Sequence, residues 1–188
     1  MIKRSIAKFE KVSYEQFKKD FEKACCKEFC STDKINDEYI KNLYDNIKLP
    51  KRATTGSAGY DFYLPTEKLV LDSFNEPDHC LYGSSVLIPT GIRVKITEGW
   101  FLGIFPRSGL GFKYRFQLDN TVAIIDSDYY NSSNEGHIMI KITLDKDNRQ
   151  LTLSQGDAFV QGILLPYGIT VDDETDGVRD GGFGSTSR

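Results

Sequence analysis

The feature that most constrains this chain is a change of hydrophobic period at Pro50. Before it, apolar residues recur every three or four positions; after it, they recur every second position. In HIMIKITL (137–144), Ile138, Ile140, Ile142 and Leu144 share one face while His137, Met139, Lys141 and Thr143 share the other. IRVKI (92–96) alternates likewise, with Ile92, Val94 and Ile96 on one side. WFLGIF, TVAII and AFVQGILL are unbroken apolar runs suited to buried strands. Glycines and acidic or Asn-rich turns separate these segments at short intervals, which predicts an all-β sandwich or barrel. NEPDHCLYGSS (75–85) and YNSSNEG (130–136) read as polar loops.

Residues 13–47 have a different texture. Ser13 followed by Gln16 is a capping-box pattern, and Phe17, Phe21, Ala24 or Cys25, and Phe29 then recur at helical spacing. A second amphipathic run puts Ile35, Tyr39, Leu43 and Ile47 on one stripe, and Pro50 follows where a helix has to stop. This segment is expected to be a helical hairpin inserted after a first strand at 6–12. The 188 residues suit one domain of ordinary size. A formal charge of −3 argues against broad nucleic-acid or membrane-surface binding. No signal-peptide core and no apolar run near twenty residues is present, which points to the cytoplasm. Cys25, Cys26, Cys30 and Cys80 form no disulfide framework. With His79 they invite a zinc reading, but CCxxxC lacks the usual CxxC pairing, and a structural role is favoured.

Five stretches are hard to explain by packing: GSAGYDF (56–62), PRSGLG (106–111), NTVAIIDSDY (120–129), GDAFVQG (156–162) and RDGGFGSTS (179–187). They supply glycine N–H groups, hydroxyls, two arginines, acids, an Asn, a Gln and one Phe between glycines. That inventory suits a ligand with several phosphates and a flat ring. NTVAIIDSDY also runs an apolar strand into two acids. Burying a bare carboxylate is costly, so Asp126 or Asp128 must be solvated, hydrogen-bonded or used in chemistry.

In this order the five stretches resemble the five motifs of the trimeric dUTP pyrophosphatases (dUTPases), across roughly residues 50–188. The resemblance implies an antiparallel β barrel or jelly-roll, here with an α-helical insertion at 13–47 and a mobile C-terminal lid at about 176–188. It implies a homotrimer that hydrolyses dUTP to dUMP and pyrophosphate. Asp126 matches the carboxylate that activates the water attacking the α-phosphorus. Arg107, Ser108 and Gly109 match phosphate contacts, as does Gln161. Asn120 matches the amide that reads the uracil edge, Met139 a backbone contact to the pyrimidine, and Ile124 and Ile125 are implied as substrate-binding residues. Tyr129 matches the ring packed on the deoxyribose. Phe183 matches the ring that stacks over the uracil, and Arg179, Gly184, Ser185 and Thr186 match γ-phosphate contacts. Mg²⁺ is implied as held by the triphosphate and waters, with Asp61 a candidate outer-shell group.

Taken alone, Asp126 and Asp128 read as turn residues; the other four motifs favour catalysis for Asp126, while Asp128 keeps the turn reading. The chain departs from the common pattern in four places. YNSSNE enlarges the turn beside the sugar, Ala158 replaces a common Arg, Arg179 is one position closer to GGFG, and Ser187 replaces a Gly. Two other readings compete: dCTP deamination on the same fold, and a nucleotide-gated regulatory protein whose insert contacts a protein partner. For the insert's stripes, docking onto the barrel is favoured over partner contact. Because the insert lies outside all five motifs, its removal is expected to leave hydrolysis largely in place.

Overall fold

The computed structural model describes residues 5–24, 35–71, 82–83, 85–144 and 150–177. In chain order its elements are β1 (Ala7–Lys11), α1 (Tyr14–Ala24), α2 (Asp37–Asp45), β2 (Lys51–Arg52), β3 (Tyr60–Tyr63), β4 (Lys68–Leu71) and β5 (Tyr82–Gly83). There follow β6 (Ser85–Pro89), β7 (Ile92–Ile96), β8 (Trp100–Pro106), α3 (Ser108–Tyr114), β9 (Phe116–Leu118) and β10 (Ala123–Ile125). A 3₁₀ turn (Ser127–Asn131), β11 (Met139–Leu144), β12 (Leu151–Ser154) and β13 (Ala158–Pro166) complete them. The sheets are β10-β8-β13-β3-β2, β6-β11-β9, β12-β4-β5 and the pair β1-β7. All pairings are antiparallel except β4–β5. This is the expected predominantly β jelly-roll, with helices near the N-terminus.

The alternating strands behave as their period dictates. Ile92, Val94, Ile96, Ile138, Ile140, Ile142 and Leu144 are all buried in one core. The continuous apolar runs do not. β8 buries Leu102 and Ile104 inward, while Phe101 and Phe105 on the other face stay partly exposed. Ile124 is 50% exposed, and Ile163 and Leu165, on the same face two strands away, are half-buried. The runs are apolar on both faces, yet a single chain covers only one.

Both helices of the insert dock on the barrel, as favoured above. Phe17 and Phe21 of α1 and Ile40 and Leu43 of α2 are fully buried. The α2 stripe is turned by one residue from expectation. Ile40, Leu43 and Ile47 are the buried set, while Ile35 and Tyr39 are only half-buried. Asn36 caps α2, its Oδ1 accepting from Tyr39 N–H at 2.8 Å. The α1 capping box is half-formed. Ser13 Oγ accepts from Gln16 N–H (3.1 Å), but the Ser13 N–H donates to Glu135 Oε2 (2.8 Å) while Gln16 turns to Asp20 (2.7 Å). The insert supplies core, so its removal is expected to cost stability, which runs against the expectation that it can be excised at little cost.

Candidate functional site

Register places three of the singled-out side chains together. Asp61 on β3 pairs with Gln161 on β13, and Gln161 pairs with Phe105 on β8, just before the Pro106–Arg107 turn. Arg107 Nε lies 3.1 Å from Asp61 Oδ1, and Arg107 Nη1 donates to Ala158 O at 3.2 Å. Gln161 Nε2 donates to Pro106 O (3.1 Å). A side chain at Gly59 would collide with Gln161 Oε1 at 2.5 Å, so glycine there makes room for the amide. Arg107 also caps α3, which makes Ser108 and Gly109 its first residues, with N–H groups that have no acceptor inside the helix. Gly109 has open space around its Cβ position and no left-handed φ, so nothing in this chain requires a glycine. The Arg107 side chain remains 42% exposed, its fork oriented by Asp61 yet accessible.

The second group is carried by β10 and its flanks. Asn120 is exposed in the turn between β9 and β10. Thr121 has φ of 64°, and Val122 N–H donates to Asn120 O at 2.6 Å, the i to i+2 bond of a γ-turn with positive central φ. That conformation is costly for a β-branched residue and fixes where Asn120 points. Asp126 follows β10 in extended conformation (φ −78°, ψ 161°) and caps the 3₁₀ turn, half-exposed. Asp128 is exposed on that turn, as its turn reading predicts. Ile125 is buried core, so only its backbone can meet a ligand; Ile124 faces out. Met139 opens β11, half-buried, paired with Pro89.

Tyr129 is 3% exposed. Its hydroxyl donates to His137 O (2.9 Å) and accepts from Asn134 Nδ2 (2.9 Å), and Ser132 Oγ donates to its carbonyl (2.7 Å). Gly136, at φ 69°, passes so close that a Cβ would lie 2.8 Å from Tyr129 O. The enlarged turn thus folds back to hold the tyrosine.

Sequence reasoning missed His137, which it set on the face opposite Ile138 without a role. It is fully buried because α1 lies over it. His137 Nε2 accepts from Gly91 N–H (2.8 Å), so Nδ1 carries the proton and donates to Asp20 Oδ2 at 2.6 Å. Burial pushes the Asp20 carboxyl up, but hydrogen bonds from His137 and Gln16 outweigh it and leave its pKa lowered. Arg179, Phe183, Gly184, Ser185 and Thr186, like the four cysteines and His79, lie outside the described residues.

The two groups do not meet in one chain. Asp126 follows Ile125, which pairs with Leu102, so it stands level with Phe101; Arg107 lies past the other end of β8. Six strand residues of about 3.3 Å put them roughly 20 Å apart. Period two sets Asp61, Gln161, Arg107 and Asp126 on the same outward face as Phe101, Phe105 and Ile124.

Fold and side chains together define a class: a β jelly-roll protein with an arginine–serine–glycine helix start beside Asp61 and Gln161, and a strand ending in a carboxylate. The dUTPase family model matches residues 45–187. The deoxyuridine 5′-triphosphate nucleotidohydrolase of Finegoldia magna is 40% identical over 148 residues, spanning 75% of this chain and 92% of that protein. The Lactococcus lactis protein of the same name is 35% identical over 158 residues, 81% of this chain and 98% of its own. Among solved structures, the Streptococcus mutans dUTPase superposes with a TM-score of 0.56 at 27% identity, covering 86% of this chain and 97% of its own. The chain belongs to the dUTPase family.

Proposed function

We propose that the chain hydrolyses dUTP to dUMP and pyrophosphate as a homotrimer, with each site shared between chains. The observation that carries this reading is the open apolar sheet face bearing Asp126 at one end and Arg107, Asp61 and Gln161 at the other. A closed ring of heterologous contacts lays one end of a sheet against the opposite end of its neighbour and covers Phe101, Phe105 and Ile124. From one chain, Asn120 reads the uracil edge beside the Met139 backbone, and Asp126 takes the proton of the attacking water. The water oxygen bonds to the α-phosphorus, the bridge to the β-phosphate breaks, and the electron pair leaves with pyrophosphate. From another chain, Arg107 and the Ser108 and Gly109 N–H groups hold phosphate oxygens, so positioning and charge stabilisation supply most of the acceleration. Tyr129, held at both ends, cannot retreat from a ribose 2′-hydroxyl, which supports a role in sugar discrimination. The C-terminal segment with Phe183 is proposed as the lid.

Among the described residues no three His, Cys, Asp or Glu side chains cluster as a metal cage. The oxygen donors Asp61 and Gln161 beside Arg107 fit an outer-shell role toward a cation that keeps its waters. Magnesium, when bound on the triphosphate, neutralises phosphate charge. The test is a pyrophosphate-release assay across dUTP, dCTP, dTTP and UTP, with Asp126→Asn beside the unsubstituted protein. Hydrolysis of dUTP alone is expected, lowered by about 10²–10⁴-fold in the variant with nucleotide binding retained. Near-normal turnover in the variant would remove Asp126 from the mechanism.

A further inference from the structure

α1 carries two stripes. Tyr14, Phe17 and Phe21 face the barrel and α2. Gln16, Lys19, Asp20 and Lys23, spaced i, i+3, i+4 and i+7, form one polar line, and all four border a cleft of about 630 Å³. The lining of that cleft also includes Asn120 and Met139, the two residues assigned to the pyrimidine. Pockets of this size take small ligands. The acids at the cleft are already engaged. Asp20 is bound to His137 and Gln16, and Asp119 to Lys141 (2.9 Å), Thr143 and Ser85. Lys19 and Lys23 are exposed and make no salt bridge among the described residues, which leaves positive charge facing the cleft.

The same helix is fastened to the segment that holds Tyr129. At its first turn, Ser13 N–H and Oγ both donate to the Glu135 carboxylate (2.8 and 2.6 Å). One turn beyond Gln16, Asp20 grips His137, whose carbonyl receives the Tyr129 hydroxyl and which lies two residues before Met139. Moving α1 therefore moves both the sugar-side ring and the pyrimidine-side strand.

We propose that α1 is the outer wall of the pyrimidine pocket, with Lys19 and Lys23 facing bound nucleotide and Asp20–His137 and Ser13–Glu135 keeping wall, Tyr129 and Met139 in register. Lys19 and Lys23 line the site, and Ser13, Asp20, Glu135 and His137 are positioning residues. This inference rests on the dUTP reading, so dUTP hydrolysis by the unsubstituted protein is measured first; its absence defeats that reading rather than this one.

Two measurements then test the wall. The unsubstituted protein is acetylated on lysine with and without a saturating imido-bridged dUTP analogue, saturation being set by calorimetry, and the products are read by peptide mass spectrometry. Several-fold protection of Lys19 and Lys23 is expected, with exposed Lys95 on β7 unchanged; equal labelling of Lys19 and Lys23 in both states overturns the proposal. In Asp20→Ala, KM for dUTP is expected to rise about tenfold with kcat within twofold, and the dUTP/UTP ratio of kcat/KM to narrow. An unchanged KM and ratio, or a fall in kcat alone as from a smaller folded fraction, overturns the positioning role.

Discussion

Mixing two inactive variants tests the division of the site between chains. Asp126→Asn removes the proton acceptor, and Arg107→Ala removes the phosphate fork about 20 Å away along β8 and β10. In the proposed mechanism both groups act on the same phosphates, which no single chain allows at that separation. In randomly mixed 1:1 trimers, a site needs its Asp126 from an Arg107→Ala chain and its Arg107 from an Asp126→Asn chain. Each has probability one half, so about one quarter of all sites are complete when the two residues come from different chains of a closed ring. Loss of a general base lowers the Asp126→Asn parent by about 10²–10⁴-fold, so restored activity would exceed that background at least about 25-fold. The variants are unfolded in urea, refolded separately and together, checked for mixed trimers by native mass spectrometry, and assayed by pyrophosphate release. Confirmed mixed trimers with activity no higher than the parents' would mean that one chain supplies both residues.

Three further outcomes follow from the packing. Phe17→Ala empties a fully buried position against Phe21, Tyr44 and His137 and is expected to cost about 3–5 kcal/mol in urea unfolding; a cost below ~1 kcal/mol would show that the insert is not part of the core. Thr121→Gly relieves a positive φ worth about 1–3 kcal/mol against a glycine entropy cost of about 0.5–1, so a net gain near 1 kcal/mol is expected, and a loss would show the turn unstrained. Glu10, with hydrogen bonds from Lys8 and Tyr130, has its pKa lowered from 4.5 to about 2. The folded carboxylate holds its proton less tightly than the unfolded one, so its contribution is complete above pH 4.5 and is lost as pH falls through about 2. Glu10→Gln is expected to flatten the acid limb of stability in that window, modestly because the pair is near the surface, and an unchanged limb would discard the contribution.

What the sequence revealed and what it hid divide along a physical line. Alternation in IRVKI and HIMIKITL was legible because a strand with one buried face writes its period locally. Asp126 was legible as an acid ending an apolar strand. The second cover of β8 and β10 was not legible, since a run that is apolar on both sides does not say whether that cover comes from its own chain or another. The α2 stripe slipped by one residue because Tyr39 is apolar in body and polar at its tip, so a count of apolar residues accepts it where packing selects Ile40. His137 was invisible as a buried residue because its partner Asp20 is 117 residues away, and nothing local announces a helix on that face.

The helical insert and the enlarged turn appear in the sequence as two unrelated departures from compact family members. In the structure each completes the other. Gln16 fails to close the capping box from its own helix, and Glu135, in the enlarged turn, takes its place at the Ser13 N–H. Burial pushes the Glu135 carboxyl up, but the Ser13 hydrogen bonds outweigh it and hold its pKa below the ordinary range, as expected for an acid working at a helix start. The same turn binds Tyr129 at its hydroxyl through Asn134 and at its carbonyl through Ser132, and then feeds His137 under α1. A turn without YNSSNE has no Glu135 to cap α1 and no Asn134 to hold the phenol. A barrel without α1 would leave the His137 N–H buried or exposed without its carboxylate. Ser13–Glu135 and Asp20–His137 thus tie the two departures to each other, and on the proposed reading the insert is built into the nucleoside side of the site rather than appended to the fold.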